Sequence, residues 1–291
     1  MTHVSLDTLK TPAKTEAMRS TQRNGDPFAP NSVLGRALTL VSAFQLGDEQ
    51  LSLAELHRRT GIAKPTILRL LGELAEWAIV ERTEGGFRLG MRLFELGQLV
   101  PYQRGLREAA APFLADLFEA THETVHLAVP DGAEVIYVQK IDGRHGPKVR
   151  SRVGGRMPAY CTGVGKVLLA FGPPERIAEV LAAGLRRRTP RTIIAPGLLL
   201  AEFDRIREAG VAFEREESTV GITCVAAPVH SSEGDVVAAI SITGWANRLD
   251  PDRFAPAVRT AALGLSRTLG HHVSSGEPAR RGPLHASRIS R

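Results

Sequence analysis

Cysteine is the scarcest clue in this chain of 291 residues, which has only Cys161 and Cys224. The two lie far apart and match no zinc-ligand spacing, so their usage suits a reducing cytoplasm. No apolar run approaches the roughly 18 residues that a membrane span needs. The N-terminus has no apolar segment of the kind a signal peptide carries, so a cytoplasmic protein without membrane contact is expected. No P-loop, dinucleotide fingerprint or His-Glu-x-x-His motif occurs. Cys161 and Cys224 are conceivable nucleophiles, yet no histidine forms a recognisable local signature with either, and His271-His272 is too short a cluster to imply a metal. No metal, no cofactor and no enzymatic role is therefore expected. Concentrated charge is missing as well. The chain carries a net charge of +6 with a pI of about 9.7, which favours anionic partners. Residues 27–92, however, hold eight Lys/Arg against seven Asp/Glu, so nucleic-acid binding there must come from placement rather than excess.

What the chain does have is a pattern over residues 51–73, LSLAELHRRTGIAKPTILRLLGE. Ser52 suits an N-cap, and Glu55 three residues on completes a capping-box spacing. Leu53, Leu56 and Thr60 share one face, and Thr60-Gly61 breaks the helix. Pro65 fits the first turn of a second helix, where its missing N–H costs nothing. Ile67, Leu70, Leu71 and Leu74 form a buried stripe, while Thr66, Arg69 and Glu73 fall opposite, with Lys64 at the entrance. This is helix-turn-helix logic, in which the second helix offers its N-terminal residues to the major groove. A helical hairpin of an ordinary core has the same spacing.

The flanks favour DNA. After Ile79-Val80, two strand-like pieces surround Gly85-Gly86, a hairpin signal in the place of a wing. Arg82 and Arg88 would then reach phosphates or a minor groove. Before the pair, residues 33–44 read as an amphipathic helix capped by Asn31 or Ser32, with Leu34, Ala37, Leu38, Val41 and Phe44 inward. The expected DNA set is Arg36, Lys64, Pro65, Thr66, Leu68, Arg69, Arg82 and Arg88. Thr66, Leu68 and Arg69 would lie nearest the bases, and Arg36, Lys64, Arg82 and Arg88 on phosphates. Arg58 and Arg59 are further basic candidates on that side.

Residues 93–112 read as a linker helix with an imperfect apolar stripe, ended or kinked at Pro101, and Pro112 marks a further kink or restart. From 113 to 272, alternating strands with polar turns (Val125, Leu127 and Val129; Val135 and Tyr137; 225–229; 236–243) are interspersed with helices at 165–171, 175–183, 198–209 and 251–270. That order predicts an α+β domain, an antiparallel sheet flanked by helices. The polar stretch 1–26 and the basic stretch 273–291 read as disordered tails.

Several stretches resemble the IclR family of bacterial transcription regulators. They are Arg36-Ala37-Leu38, Gly61-Ile62-Ala63-Lys64-Pro65-Thr66, Glu123-Thr124-Val125-His126-Leu127, residues 158–166 with Leu168-Leu169-Ala170, residues 221–229, and Ala238-Ala239-Ile240-Ser241-Ile242-Thr243-Gly244. The resemblance spans 31–269 in order. It implies a winged helix-turn-helix (27–92), a linker helix (93–112) and a GAF-like effector domain (113–272), assembled as homodimers that pair into tetramers on an operator. It further implies a regulator of a catabolic operon, expected to be a repressor, that binds double-stranded operator DNA and a small organic or aromatic acid or a related metabolite.

The effector pocket implied by the family falls on Gly163, Val164, Glu214, Cys224, Ser241 and Thr243. A physical argument stands beside it. Gly163 and Gly165 free the backbone at a helix N-terminus, where exposed N–H groups favour an anion. Ser241 and Thr243 are two apart on a strand and face one side of the sheet. Met157, Tyr160 and Val149 are candidates for the apolar lining. Glu214 departs from the shorter Asp often found there, and its carboxylate would repel an anionic ligand unless it were protonated or bridged by water, which leaves room for a neutral or larger ligand. Pro65 and Leu68 depart from the hydroxyl and the His or Tyr common in the family's recognition helix. The rival readings are a ligand-independent DNA-binding protein and a cysteine-dependent enzyme. The first leaves more than half the chain without a task.

Overall fold

The computed structural model describes residues 32–144, 146–147 and 151–275. Val149, the Asn31 cap, the stretch 1–26 and the basic residues beyond 275 lie outside the described residues. The chain divides into two compact units, with the boundary between Leu99 and Val100.

In the first unit, α1 (Val33–Ser42) starts at Ser32, whose hydroxyl accepts the Gly35 N–H at 2.9 Å. α2 (Leu53–Thr60) begins at Ser52, which accepts the Glu55 N–H at 3.2 Å, and ends at Gly61 in the left-handed conformation. Only half of the capping box forms, because the Glu55 carboxylate turns to Arg58 and Arg59 instead of returning to the cap. α3 (Lys64–Glu76) follows with Pro65 in its first turn. Strands β1 (Val80–Thr83) and β2 (Gly86–Leu89) pair antiparallel from Val80↔Leu89 to Thr83↔Gly86. Leu51 adds a bridge to Phe87, with backbone bonds of 2.7 and 2.9 Å in the two directions. Leu40, Leu56, Ile67, Leu70, Leu71 and Phe87 fill the small core, each buried leucine contributing about 1.5–3 kcal/mol. α1 departs from its expected stripe. Leu34 and Leu38 are exposed and Leu40 takes the buried place, because the apolar arc of α1 is wider than the surface that α2 and α3 offer it. α4 (Arg92–Gln98) completes this unit.

The second unit begins with α5 (Pro101–Thr121), which is one helical segment through Pro112 rather than a restart. The expected linker 93–112 is thus two helices, and Leu106, Ala109 and Ala110 are buried in the second unit's own core. The strands are β3 (Thr124–Asp131), β4 (Glu134–Ile141), β5 (Arg156–Pro158), β6 (Ala212–Arg215), β7 (Ile222–His230) and β8 (Val236–Trp245). They form one antiparallel sheet in the order β5-β4-β3-β8-β7-β6. The edge strands β5 and β6, three and four residues long, were not expected, since alternation over so few residues carries little signal.

The helices of this unit are α6 (Gly163–Ala170), α7 (Pro174–Ala183), α8 (Pro196–Ala209) and α9 (Pro251–Ser275), so residues 273–275 are helical rather than tail. The two faces of the sheet differ. Branched residues such as Val125, Leu127, Val225, Ile240 and Ile242 pack with α5 and α9. The other face is paved with Ala128, Ala226 and Ala239, which lie in one cluster with α6 and α8 residues. A Cβ on Gly163 would stand 2.8 Å from Cys224 Sγ, and one on Gly165 would stand 2.2 Å from the Ala159 carbonyl oxygen. Small residues on both sides therefore let the N-terminus of α6 sit directly on the sheet.

Candidate functional site

The first unit presents its polar residues to solvent. On α3, Lys64, Pro65, Leu68 and Arg69 are exposed and Thr66 is half-buried. Arg69 pairs with Glu73, and on the hairpin Arg88 pairs with Glu81 at 2.6 Å. Such exposed pairs contribute only about 0–1 kcal/mol, so either arginine can exchange its carboxylate for a phosphate or a base. The Arg82 guanidinium lies 5.6 Å from the centre of the Phe87 ring. Arg59 is different. It bonds Asp48, Glu55 and the Ala43 carbonyl and is only 20% exposed, so it braces α2 rather than reaching outward. Arg58 and Arg59 together hold the Glu55 carboxyl down to about 2. Arg36 is half-buried, its Nε enclosed without a hydrogen bond.

In the second unit, the sheet register assembles a pocket. Glu214 on β6 pairs with Cys224 on β7, which pairs with Thr243 on β8. In the adjacent row, Ala226 pairs with Ser241, and Ser241 with His126 on β3. These side chains face α6, whose first residues close the cavity from above. Thr162 caps the helix, accepting the Gly165 N–H at 3.2 Å. The first N–H groups, on Gly163 and Val164, have no acceptor within the helix. Met157, Gly163, Val164, Glu214, Cys224, Ser241 and Thr243, all anticipated from the sequence, line one cavity of about 40 Å³. That volume holds a few water-sized groups.

Tyr160 does not join them. Its hydroxyl donates to the Arg186 carbonyl at 2.5 Å, and its ring lines a separate groove with Pro158, Val180 and Arg188. A buried phenol needs a partner for its hydroxyl, and that partner lies on the far side of the 159–161 turn. From the sequence His126 reads as a structural residue of its strand, and Tyr137 and Ser151 are not singled out for the site, yet all three also line the cavity. His126 bonds Ser151 through Nε2 at 2.7 Å and approaches Thr243 through Nδ1 at 3.5 Å. The alternation of β3 was the available signal. With Val125 and Leu127 inward on one face, His126 had to occupy the other.

Burial sets the charge of the pocket. It pushes the His126 imidazole down to about 3, keeping it neutral, and raises the Tyr137 phenol well above its ordinary range. Burial likewise pushes both the Cys224 and the Cys161 thiol up to about 12, so neither carries the thiolate that a nucleophile requires near neutrality. The Glu214 carboxyl is pushed up to about 7, chiefly by burial and further by the Glu217 carboxylate. Hydrogen bonds from the Ser218 and Glu217 backbones and the charge of Lys166 oppose the rise. Glu214 Oε1 accepts the N–H groups of Glu217 at 2.6 Å and Ser218 at 2.9 Å.

Behind this turn Lys166 is wholly buried, its Nζ bonded to Glu217 Oε1 at 2.5 Å, the Phe213 carbonyl at 2.6 Å and Glu202 Oε1 at 3.2 Å. Thr189 and Thr192 hold the same turn from the other side, through the carbonyls of Glu216 and Glu217 at 2.6 and 2.7 Å. Among the described residues, no group of three or more His, Cys, Asp or Glu is placed to hold a metal ion, and no helix is long and apolar enough to cross a membrane.

The sequence matches the model of the IclR helix-turn-helix domain over residues 33–84, and that of the bacterial transcriptional regulator IclR C-terminal domain over residues 100–267. It is 33% identical over 242 residues to the HTH-type transcriptional regulator XynR of Escherichia coli (strain K12), spanning 81% of this chain and 96% of that protein. It is 30% identical over 243 residues to the HTH-type transcriptional repressor AllR of Salmonella typhi, spanning 81% and 89%. Among solved structures, it is similar to an IclR homolog from Microbacterium hydrocarbonoxydans complexed with 4-hydroxybenzoate, with a TM-score of 0.76 and 28% identity over 82% of this chain and 99% of that one. Helix-turn-helix, α+β sheet and matched sequence agree over nearly the whole described chain, which belongs to the IclR family of bacterial transcriptional regulators and carries that family's DNA-binding and ligand-binding domains.

Proposed function

We propose that this protein is a cytoplasmic repressor of a catabolic operon, controlled by a small organic or aromatic acid bound in its C-terminal unit, and that it has no catalytic role. The observation that carries the reading is the cavity itself. Helix N–H groups, two hydroxyls, a thiol and a neutral imidazole converge on one cavity at the N-terminus of α6. A ligand-independent DNA-binding protein has no use for such a site, and the buried thiols argue against a cysteine nucleophile. Gly163, Val164, Met157, Glu214, Cys224, Ser241 and Thr243 are the proposed effector contacts, with His126 added to them.

On DNA, the exposed residues of α3 support Thr66, Leu68 and Arg69 as base contacts beside Pro65. Lys64, Arg82, Arg88 and the half-buried Arg36 are the proposed phosphate contacts. Action as a homodimer, pairing into tetramers on the operator, is supported by the exposure of Leu34, Leu38, Phe94 and Leu99 in the first unit. Control by ligand requires different affinities for the DNA-bound and DNA-released states.

A gel shift with the protein's own upstream intergenic DNA, unrelated competitor DNA and a salt series tests this reading. Retention that survives competitor and changes on adding a small acid is expected. Cys224→Ala and Ser241→Ala should blunt the ligand response while DNA binding stays intact. A sequence-blind, salt-sensitive affinity that no acid alters would replace the reading with a ligand-independent DNA-binding protein.

A further inference from the structure

We infer that Glu214 meets the effector as an uncharged carboxylic acid, donating a hydrogen bond from Oε2 to a carboxylate of the ligand, so that binding takes up one proton and favours carboxylates over their amides. This deepens the effector reading and rests on it. Glu214 is 2% exposed and ends the row Glu214–Cys224–Thr243 beneath the N-terminus of α6. Its two oxygens are not equivalent. Oε1 accepts the N–H groups of Glu217 and Ser218, with the Ser218 hydroxyl at 3.3 Å, which suits the carbonyl oxygen of an acid. Oε2 has no hydrogen bond among the described residues, and the residue lines the cavity.

Among the described residues no Lys, Arg or His forms an ion pair with Glu214. Lys166, from α6, is committed to Glu217, Glu202 and the Phe213 carbonyl. On its own turn stand two more carboxylates, Glu217 and Glu216, the latter paired with Arg191 at 3.2 Å. The strands facing it supply Cys224 from β7, His126 from β3 and Tyr137 from β4, all held neutral by burial, and Cys161 is neutral beside them. A carboxylate ligand drawn to the α6 N–H groups would therefore confront a second carboxylate that is itself buried from solvent. Two such groups share a site only when one of them holds a proton. A carboxyl pushed up to about 7 supplies that proton near neutrality and would become a fuller donor once an anion lies beside it.

The test is isothermal titration of the full chain with acetate, pyruvate, benzoate and 4-hydroxybenzoate, and with their amides, from pH 6 to pH 8 in phosphate and in Tris. Affinity for the acid that binds should fall about tenfold from pH 6 to pH 8, because only the protonated form accepts it. The binding enthalpy at pH 8 should differ between the two buffers by close to the full difference of their ionisation enthalpies, as uptake of nearly one proton requires. Glu214→Gln should bind the same acid with an affinity that no longer changes with pH. Equal affinity at both pH values with no buffer dependence in the wild-type chain would overturn the inference and leave the pocket standing. Binding of an amide in preference to its acid would do the same. Failure of every acid and amide to bind would remove the effector reading as well.

Discussion

Arg69 and Arg88 stand half-exposed with Glu73 and Glu81 at their tips, whereas Glu214, Cys224 and Ser241 are walled off from solvent by α6 and the sheet. Both sets are polar and both are proposed as recognition residues, yet different physics governs them. In the first unit an ion pair in water is weak and exchangeable, and a long, straight DNA surface can displace it. In the second, each polar group has been desolvated on folding and must be satisfied by a neighbour, by a proton or by a ligand. The proposed DNA contacts of the winged unit are therefore side chains with little part in its packing. The proposed effector contacts are side chains that also belong to the core of their unit.

The largest test of that contrast is Lys166→Met. Removing the ammonium leaves Glu217 buried without its partner, and breaking such a pair costs about 3–5 kcal/mol. Chemical denaturation should show the second unit strongly destabilised while the α3 helix still melts at its former midpoint. Adding Glu217→Gln should recover part of the loss, and equal destabilisation of both units would dissolve the comparison.

Next in size is the pH dependence of stability. The folded Glu214 carboxyl, at about 7, binds its proton more tightly than the unfolded one, whose ordinary value is 4.5. Its contribution is full below 4.5 and is lost as the pH rises through 7. Wild-type protein should therefore lose ground against Glu214→Gln over that window, by roughly 3 kcal/mol at most. The neutral His126 acts oppositely, favouring the folded state above 6.5 and losing that advantage on acidification, in both proteins alike. Parallel stability profiles for the two proteins would show that Glu214 is ionised throughout.

In the winged unit the effects fall on binding alone. Arg69→Ala should lose about 1–3 kcal/mol of discrimination between operator and competitor, read by competition gel shift. Uniform weakening on all sequences would make Arg69 a phosphate contact. Arg88→Ala should be the mildest, lowering the salt slope of binding by about one while leaving sequence preference and thermal stability unchanged. A lowered melting temperature in Arg88→Ala would mean that its pair with Glu81 holds the wing together.

Legibility follows the same divide. The helix-turn-helix could be seen in the sequence because caps, Gly61, Pro65 and the stripe Ile67, Leu70 and Leu71 are local signals, and local signals decide where a helix starts, stops and packs. The second half of the capping box failed for a local reason too, since Arg58 and Arg59 compete for Glu55. Leu38 and Leu40 could not be ranked, because which edge of an apolar arc is covered depends on how α2 and α3 cross it. In the second unit the strands of eight or more residues were visible, and the short edges β5 and β6 were not.

The pocket divides in the same way. Residue type and family resemblance pointed to Glu214, Cys224, Ser241 and Thr243. Tyr160 was misplaced because a tyrosine's direction follows the carbonyl that takes its hydroxyl, here that of Arg186, 26 residues away. His126 reads from the sequence as structural, because its place in the cavity depends on a strand paired with it from residue 241.

By itself the sequence determined the two-part plan, the helix-turn-helix, the α+β class and the chemistry available to each part, since periodicity, caps and turns are properties of neighbouring residues. The tertiary structure alone decided that β6, β7, β8 and β3 align Glu214, Cys224, Thr243, Ser241 and His126 beneath α6, and that a fully buried Lys166 spends its charge on Glu217 rather than on Glu214. Register and desolvation are set by residues far apart in the chain, and together they decide whether a carboxyl group in this cavity keeps its proton.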